Sequence, residues 1–131
     1  MKNSEREGAE FLLLTDKKWK TGPEPRDFEE MYLYNVTVNV EDEIHQDWID
    51  WMKSTHIPEV MATGCFVANR MLKVLSEVEN NGTTYSIQYY FNRMEDMVRY
   101  RDKFGPALQK STQERYGQKY VAFRTLLEIV E

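Results

Sequence analysis

From Met31 to Val40 the sequence alternates between two kinds of side chain, and this period of two most constrains what the chain can fold into. An extended strand would place on one face Tyr32, Tyr34, Val36, Val38 and Val40. Its other face would carry Leu33, Asn35, Thr37 and Asn39. We therefore predict a strand with one buried face and one more polar face.

A helical pattern follows the first strand. Acidic residues at 41–43 suit a helix N-terminus, and an apolar stripe continues at helical spacing through Ile44, Trp48, Trp51, Met52 and Thr55. Because Pro58 disfavours a helical Ile57, the helix is predicted to end near His56, with a short helical turn from Pro58 to Ala62 before Gly64.

Two strands and a hairpin are predicted next. Residues 65–79 alternate imperfectly, which indicates a long strand with a bulge near Asn69-Arg70. Asn80-Asn81-Gly82 predicts a tight turn into a strand over 83–91, so these two strands should be antiparallel.

The last part of the chain predicts a second helix and a final strand. Asn92 is the predicted N-cap, Gly105-Pro106 a kink or restart, and Gly117 the end of the helix. Residues 120–130 alternate as a strand. The order βαββαβ predicts an α+β, ferredoxin-like fold with a four-stranded antiparallel sheet and both helices on one face.

Such a sheet leaves one face without helices. We predict that this open face carries Asn35, Thr37, Asn39, Ser86, Gln88, Tyr90, Arg124, Leu126 and Glu128. This mixture is too polar for a core but rich enough in Tyr and Leu to pack. A second copy of the chain would cover it, which predicts a homodimer of the dimeric α/β-barrel type.

Residues 1–30 differ from the rest. They hold fourteen charged residues around the apolar run Phe11 to Leu14, with glycine and proline at 8, 22, 23 and 25. We interpret them as an N-terminal arm, disordered or produced by a mis-assigned start at Met1 instead of Met31. The predicted domain is 31–131, and the arm should be dispensable for folding.

Composition excludes several classes of protein. A net charge of −5, with 17 basic and 22 acidic residues, argues against nucleic-acid binding. The apolar runs are too short for a membrane helix and no signal-peptide pattern appears, so we expect a cytoplasmic protein. One cysteine and two histidines provide neither a disulfide nor a structural zinc site, and no metal or cofactor is expected. The second predicted helix also has no histidine to ligate haem.

Several short stretches, in order and at matching spacing, resemble the family called domain of unknown function 4286. They are residues 31–40, Trp48 and Trp51 followed by 56–60, and then 62–66, 86–90 and 123–127. The resemblance covers nearly all of 31–131 and implies a small bacterial protein with the ferredoxin-like, dimeric α/β-barrel fold. It implies no reaction, and it says nothing of residues 1–30, since family members typically begin at the position of Met31.

Candidate site residues come from the predicted faces. His56, near a helix C-terminus that favours its protonated form, and Tyr90 are candidates for proton exchange; His56 also fits a structural role in the turn before Pro58. Neutral hydrogen-bonding groups around one cation suit an anionic or carbonyl-bearing ligand or, alternatively, a wet dimer interface. This set is Asn35, Thr37, Asn39, Gln88 and Arg124.

The remaining candidates are aromatic, histidine and cysteine residues. Trp48 and Trp51 fit the core, or a cleft for a flat aromatic ligand. His45 is interpreted as a solvated surface residue and Cys65 as buried packing.

The function that these residues favour is a homodimeric small-molecule-binding protein. Two alternatives stay open: a non-catalytic protein-interaction or regulatory module, and a cofactor-independent monooxygenase or isomerase-like enzyme. Whether the protein is an enzyme is not decided by the sequence.

Overall fold

The computed structural model describes residues 31–76 and 82–130. The strands are β1 (Tyr32–Glu41), β2 (Ala68–Lys73), β3 (Gly82–Phe91) and β4 (Tyr120–Glu128). Between β1 and β2 lies a first helical run, made of a 3₁₀ turn (Asp42–Ile44), α1 (His45–Trp51), a π-helical segment π1 (Met52–His56) and α2 (Ile57–Ala62). Between β3 and β4 lies a second helical run, made of α3 (Met94–Arg99), π2 (Tyr100–Phe104) and α4 (Gly105–Tyr116).

The strands form one antiparallel sheet in the order β2-β3-β1-β4. The central strand β1 pairs with β3 from Tyr32↔Phe91 onward and with β4 from Tyr32↔Glu128 onward. Both helical runs pack on the same face, since Trp48 contacts Tyr85 and Tyr100 contacts Tyr34. The predicted ferredoxin-like fold is confirmed, and Met31–Glu128 forms one compact unit.

The core lies between the helical runs and the alternating apolar side chains of β1 and β3. Trp48, Phe91, Ile87, Val40 and Val60 are among its fully buried members. Their positions follow from the period of two in the strands and the helical spacing in the first run. None of the helices within the described residues is long and apolar enough to cross a membrane.

The register of β4 corrects the predicted open face. Residues paired across antiparallel strands share a face, and Arg124 is paired with Val36, whose face packs against the helices. Arg124, Leu126 and Glu128 therefore lie on the helix side, and their predicted placement on the open face is wrong. The open face of β4 carries instead Val121, Phe123, Thr125 and Leu127. In an edge strand, alternation divides the side chains into two sets, but it does not show which set faces the core.

The prediction that the first helical run ends near His56 is wrong. Ile57 is helical, with φ −61° and ψ −44°, and its N–H donates to the Met52 carbonyl. The wider π turn admits Pro58, whose ring clashes with a carbonyl in the interior of a regular α-helix.

Two further predictions about the second run have opposite outcomes. Asn92 is not its N-cap: that position is Arg93, and the Asn92 side-chain amide contacts Met31 Sδ at 3.6 Å. Gly117 does end the run, with φ +60° and ψ −126°, and its N–H donates to the Gln113 carbonyl.

Strand β2 is shorter than predicted. Its register with β3 runs without a bulge from Ala68↔Tyr90 to Lys73↔Tyr85, and Cys65 is buried before the strand begins. The antiparallel pairing of β2 and β3 is confirmed. The predicted turn at Asn80-Asn81 and the predicted arm at 1–30 lie outside the described residues.

Candidate functional site

A cavity of about 50 Å³ lies between the sheet and the two helical runs. It is lined by Tyr34, Val36, Val38, Trp48, Met52, His56, Val60, Ile87, Tyr89, Tyr100, Gln109, Thr112, Tyr120, Ala122 and Arg124. A groove of about 530 Å³ beside β4 shares four of these residues, Gln109, Tyr120, Ala122 and Arg124, with the cavity. The cavity and groove together form the central cleft, and the shared residues mark its mouth.

The two π-helical segments supply side chains to this cleft. Segment π1 contributes Met52 and His56, and π2 contributes Tyr100. In both runs the residue after the π segment donates its N–H five residues back, and a proline follows, Pro58 or Pro106. Short π segments inside α-helices occur frequently at functional sites. Each helical run thus contains a π segment just before its proline, and both segments line the same cavity.

His56 is held in an uncharged state. Its ring stacks on Trp51 with centroids 5.0 Å apart, and its Nδ1 is buried without a hydrogen-bond partner. Burial, with a smaller contribution from the Arg124 charge, lowers the pKa of His56 to about 4. The expectation that the helix C-terminus favours the protonated form is wrong, because desolvation outweighs that effect.

Arg124 is the charged group at the mouth. It is exposed and forms no salt bridge with any residue in the described ranges. Burial raises the pKa of the Tyr34 hydroxyl, which Arg124 opposes through its charge and a hydrogen bond. Burial likewise raises the pKa of Tyr100. At neutral pH the cleft therefore offers two cations, Arg124 and Lys110, tyrosine hydroxyls that include those of Tyr34 and Tyr100, and one neutral imidazole.

Four of the predicted ligand-binding residues lie on the other face of the sheet. Gln88 donates to Ser86, Ser86 to Asn35, and Asn35 to Thr37, over 3.2, 2.6 and 2.9 Å. On the same face Asn39 donates to Thr84 over 3.0 Å. These side chains form a hydrogen-bonded open-face network that is separated from the cleft by the sheet itself.

Tyr90 also lies on the open face, paired with Leu33, and its hydroxyl accepts a hydrogen bond from Arg70. The predicted proton exchange between Tyr90 and His56 is therefore wrong. Of the predicted set, the structure brings together Trp48, His56 and Arg124.

The three remaining candidates, Trp51, His45 and Cys65, have structural roles. Trp51 is buried, and its ring contacts His56 and Tyr116. His45 is not simply solvated, because its Nε2 is 2.7 Å from the Tyr85 hydroxyl. Cys65 is buried, as expected.

The sequence reasoning missed Tyr34, Tyr100, Gln109 and Thr112 as cleft residues. The sequence did contain one signal of the two π segments, because a proline, Pro58 or Pro106, lies inside each otherwise helical pattern. Within 31–76 and 82–130, no three His, Cys, Asp or Glu side chains form a group that could hold a metal ion.

Three solved structures with the same fold are similar to this chain. An ethyl tert-butyl ether d (EthD) family protein from Bacillus halodurans C-125 is 13% identical, with 72% of this chain and 96% of that chain covered and a TM-score of 0.55. A dimeric ferredoxin-like protein from an uncultured marine organism is 14% identical, with coverage of 77% and 96% and a TM-score of 0.53. The hydroxynitrile lyase from Passiflora edulis is 15% identical, with coverage of 76% and 94% and a TM-score of 0.53. At these identities the similarity shows the fold alone.

Comparison at the level of sequence families is more specific. The model of the family described as "Domain of unknown function (DUF4286)" matches residues 31–130. No curated protein shows significant similarity to the sequence.

Proposed function

The chain belongs to the DUF4286 family of unknown function, and we propose that it is a homodimeric protein that binds a small molecule in the central cleft of each subunit. The supporting observation is the unpartnered, buried Nδ1 of His56 in a cavity that Arg124 also lines. A buried polar atom without a partner costs about 1–3 kcal/mol. A ligand that supplies the missing hydrogen bond regains that free energy.

The shape of the cleft supports the same proposal. Its lining combines apolar side chains, with Trp48, Val60 and Ile87 among them, and hydrogen-bonding groups that converge on the same small space. This combination is typical of small-molecule sites.

The dimer would form through the open face. Val121 and Phe123 are 67% and 62% exposed, and they lie on the same face as the open-face network. An apolar strip beside hydrogen-bonding groups suits a partly wet interface between two copies. The similar marine protein is described as dimeric.

Native mass spectrometry of full-length protein, purified gently from its own cells, tests the ligand site. We expect reproducible extra mass on the wild-type protein and its loss from Arg124→Gln. Arg101→Gln is the control, because Arg101 is an exposed arginine, paired with Asp102, that does not line the cleft. Extra mass that survives in Arg124→Gln would argue against the central cleft. A wild-type dimer without extra mass would favour the protein-interaction alternative.

An isomerase-like enzyme is the second candidate. One observation favours it: the neutral imidazole of His56 lies in a cavity that is also lined by Arg124 and by several tyrosines. A neutral imidazole accepts a proton, and the cation and phenols stabilise the negative charge that develops on an adjacent oxygen.

A further inference from the structure

The mouth of the central cleft favours an anion. The groove beside β4 is lined by two cations, Arg124 and Lys110, and by no carboxylate from the described residues. Lys110 lies 3.8 Å from Glu114, but both side chains are largely exposed, so water weakens this pair. Since the chain as a whole carries a net charge of −5, this positive mouth is a local feature.

The volumes restrict how a ligand enters. The cavity of about 50 Å³ is far below the roughly 150 Å³ that holds a benzene ring. It therefore admits only a terminal group of a few non-hydrogen atoms. The rest of the ligand must lie in the groove, and Arg124 lines both spaces.

The inner end of the cleft favours an uncharged group. The hydroxyls of Tyr34 and Tyr100 stay protonated at neutral pH, because burial raises the pKa of each. His56 is neutral there. Phenol O–H groups and an imidazole N–H donate hydrogen bonds, and the natural partner for such donors is a carbonyl oxygen.

We propose that the ligand is a short oxo acid, a monocarboxylate with an uncharged carbonyl group near its other end. Its carboxylate pairs with Arg124 at the mouth and with Lys110 in the groove, and its carbonyl oxygen accepts a hydrogen bond from His56 Nδ1 inside the cavity. This inference rests on the proposed function, since it names the chemical class of ligand for the same cleft.

Binding of 4-oxopentanoate and its uncharged analogue 4-oxopentanamide to the full-length protein tests the carboxylate. We expect NMR titration to show shifts at cleft residues, with the amide binding at least tenfold more weakly. In the Arg124→Gln/Lys110→Gln double variant the two affinities should come within about twofold, while Arg101→Gln should retain the wild-type difference. Equal affinities of acid and amide in the wild-type protein would overturn the proposed class of ligand.

Pentanoate, which lacks the carbonyl group, tests the inner contact in the unmodified protein. We expect it to bind at least fivefold more weakly than 4-oxopentanoate, because His56 Nδ1 then stays unpartnered. Equal binding of the two acids would overturn the inner contact. If the amide causes cleft shifts as strong as those of the acids, the proposed function stands and only the assignment of an oxo acid as the ligand is refuted. Absence of cleft shifts with all three probes would count against both.

Discussion

At the scale of single residues, the central cleft depends on the environment of His56. Burial of the ring and, to a smaller extent, the charge of Arg124 disfavour the imidazolium form. Arg124 and His56 line the same cavity, and the charge of Arg124 contributes to keeping His56 neutral. The identity of residue 56 as a histidine did not predict its charge state, since the burial that dominates its pKa arises from both helical runs.

The lowered pKa of His56 predicts a specific loss of stability in acid. Between pH 6.5 and about 4 the unfolded chain binds a proton at His56 and the folded protein does not. The free energy of unfolding should therefore fall as the pH falls through this window, by about 3 kcal/mol from this group. Urea unfolding of His56→Gln between pH 7 and 4 should lack this contribution, whereas His45→Gln should keep it. An unchanged pH dependence in His56→Gln would contradict the assignment.

At the scale of elements, the helical runs show how local signals combine. Pro58 and Pro106 are each admitted by a π segment that precedes them, so that neither run stops where its proline alone would suggest. The π segments also direct His56 and Tyr100 to the cavity. Gly117, by contrast, ends α4 as its sequence position suggests, because its backbone conformation is one that glycine alone adopts readily.

Gly117→Ala should destabilise the protein without changing the fold. The φ of +60° with ψ of −126° is unfavourable for any residue with a Cβ, and such strain costs about 1–3 kcal/mol. No atom beyond the adjacent residues lies within 4 Å of the added Cβ, so the loss arises from the backbone conformation. Thermal unfolding measures it, with Ser111→Ala, an exposed position in α4, as the control. Equal stability of Gly117→Ala and wild type would refute the argument.

At the scale of the whole molecule, the sheet separates two surfaces with different chemistry. The helix side holds the central cleft with Arg124 and His56, and the open face holds an apolar strip beside a hydrogen-bonded network. The open face predicted from the sequence included Arg124, together with Asn35, Thr37, Asn39 and Gln88. Their separation lets a dimer form on one face while each subunit keeps its own cleft on the other.

Two substitutions in β4 test this division. Phe123 and Leu126 are 62% and 51% exposed but lie on opposite faces of the strand. Phe123→Glu should produce a monomer of 15.7 kDa, because it introduces a charge into the open face, and Leu126→Glu should remain a dimer. Size-exclusion chromatography with light scattering distinguishes the two masses. Dimers of both variants would exclude the open face as the interface.

Local sequence patterns were enough to predict the order of the elements, the antiparallel sheet and the inward faces of β1 and β3. These follow from local periods of two and 3.6 residues, which a single segment of chain displays. The sequence also identified His56, Trp48 and Arg124 as candidates.

Which of the candidate residues lie close together depends on the packing of the whole domain. The face of Arg124 depends on the register between β1 and β4, which no short segment encodes, because an edge strand is compatible with either face being inward. The pairing of His56 with Tyr90 failed for a different reason, because Tyr90 lies on the open face, as predicted, whereas His56 lies in the cavity on the opposite side of the sheet. The charge state of His56 required the packing of both helical runs, since desolvation depends on everything that surrounds the ring.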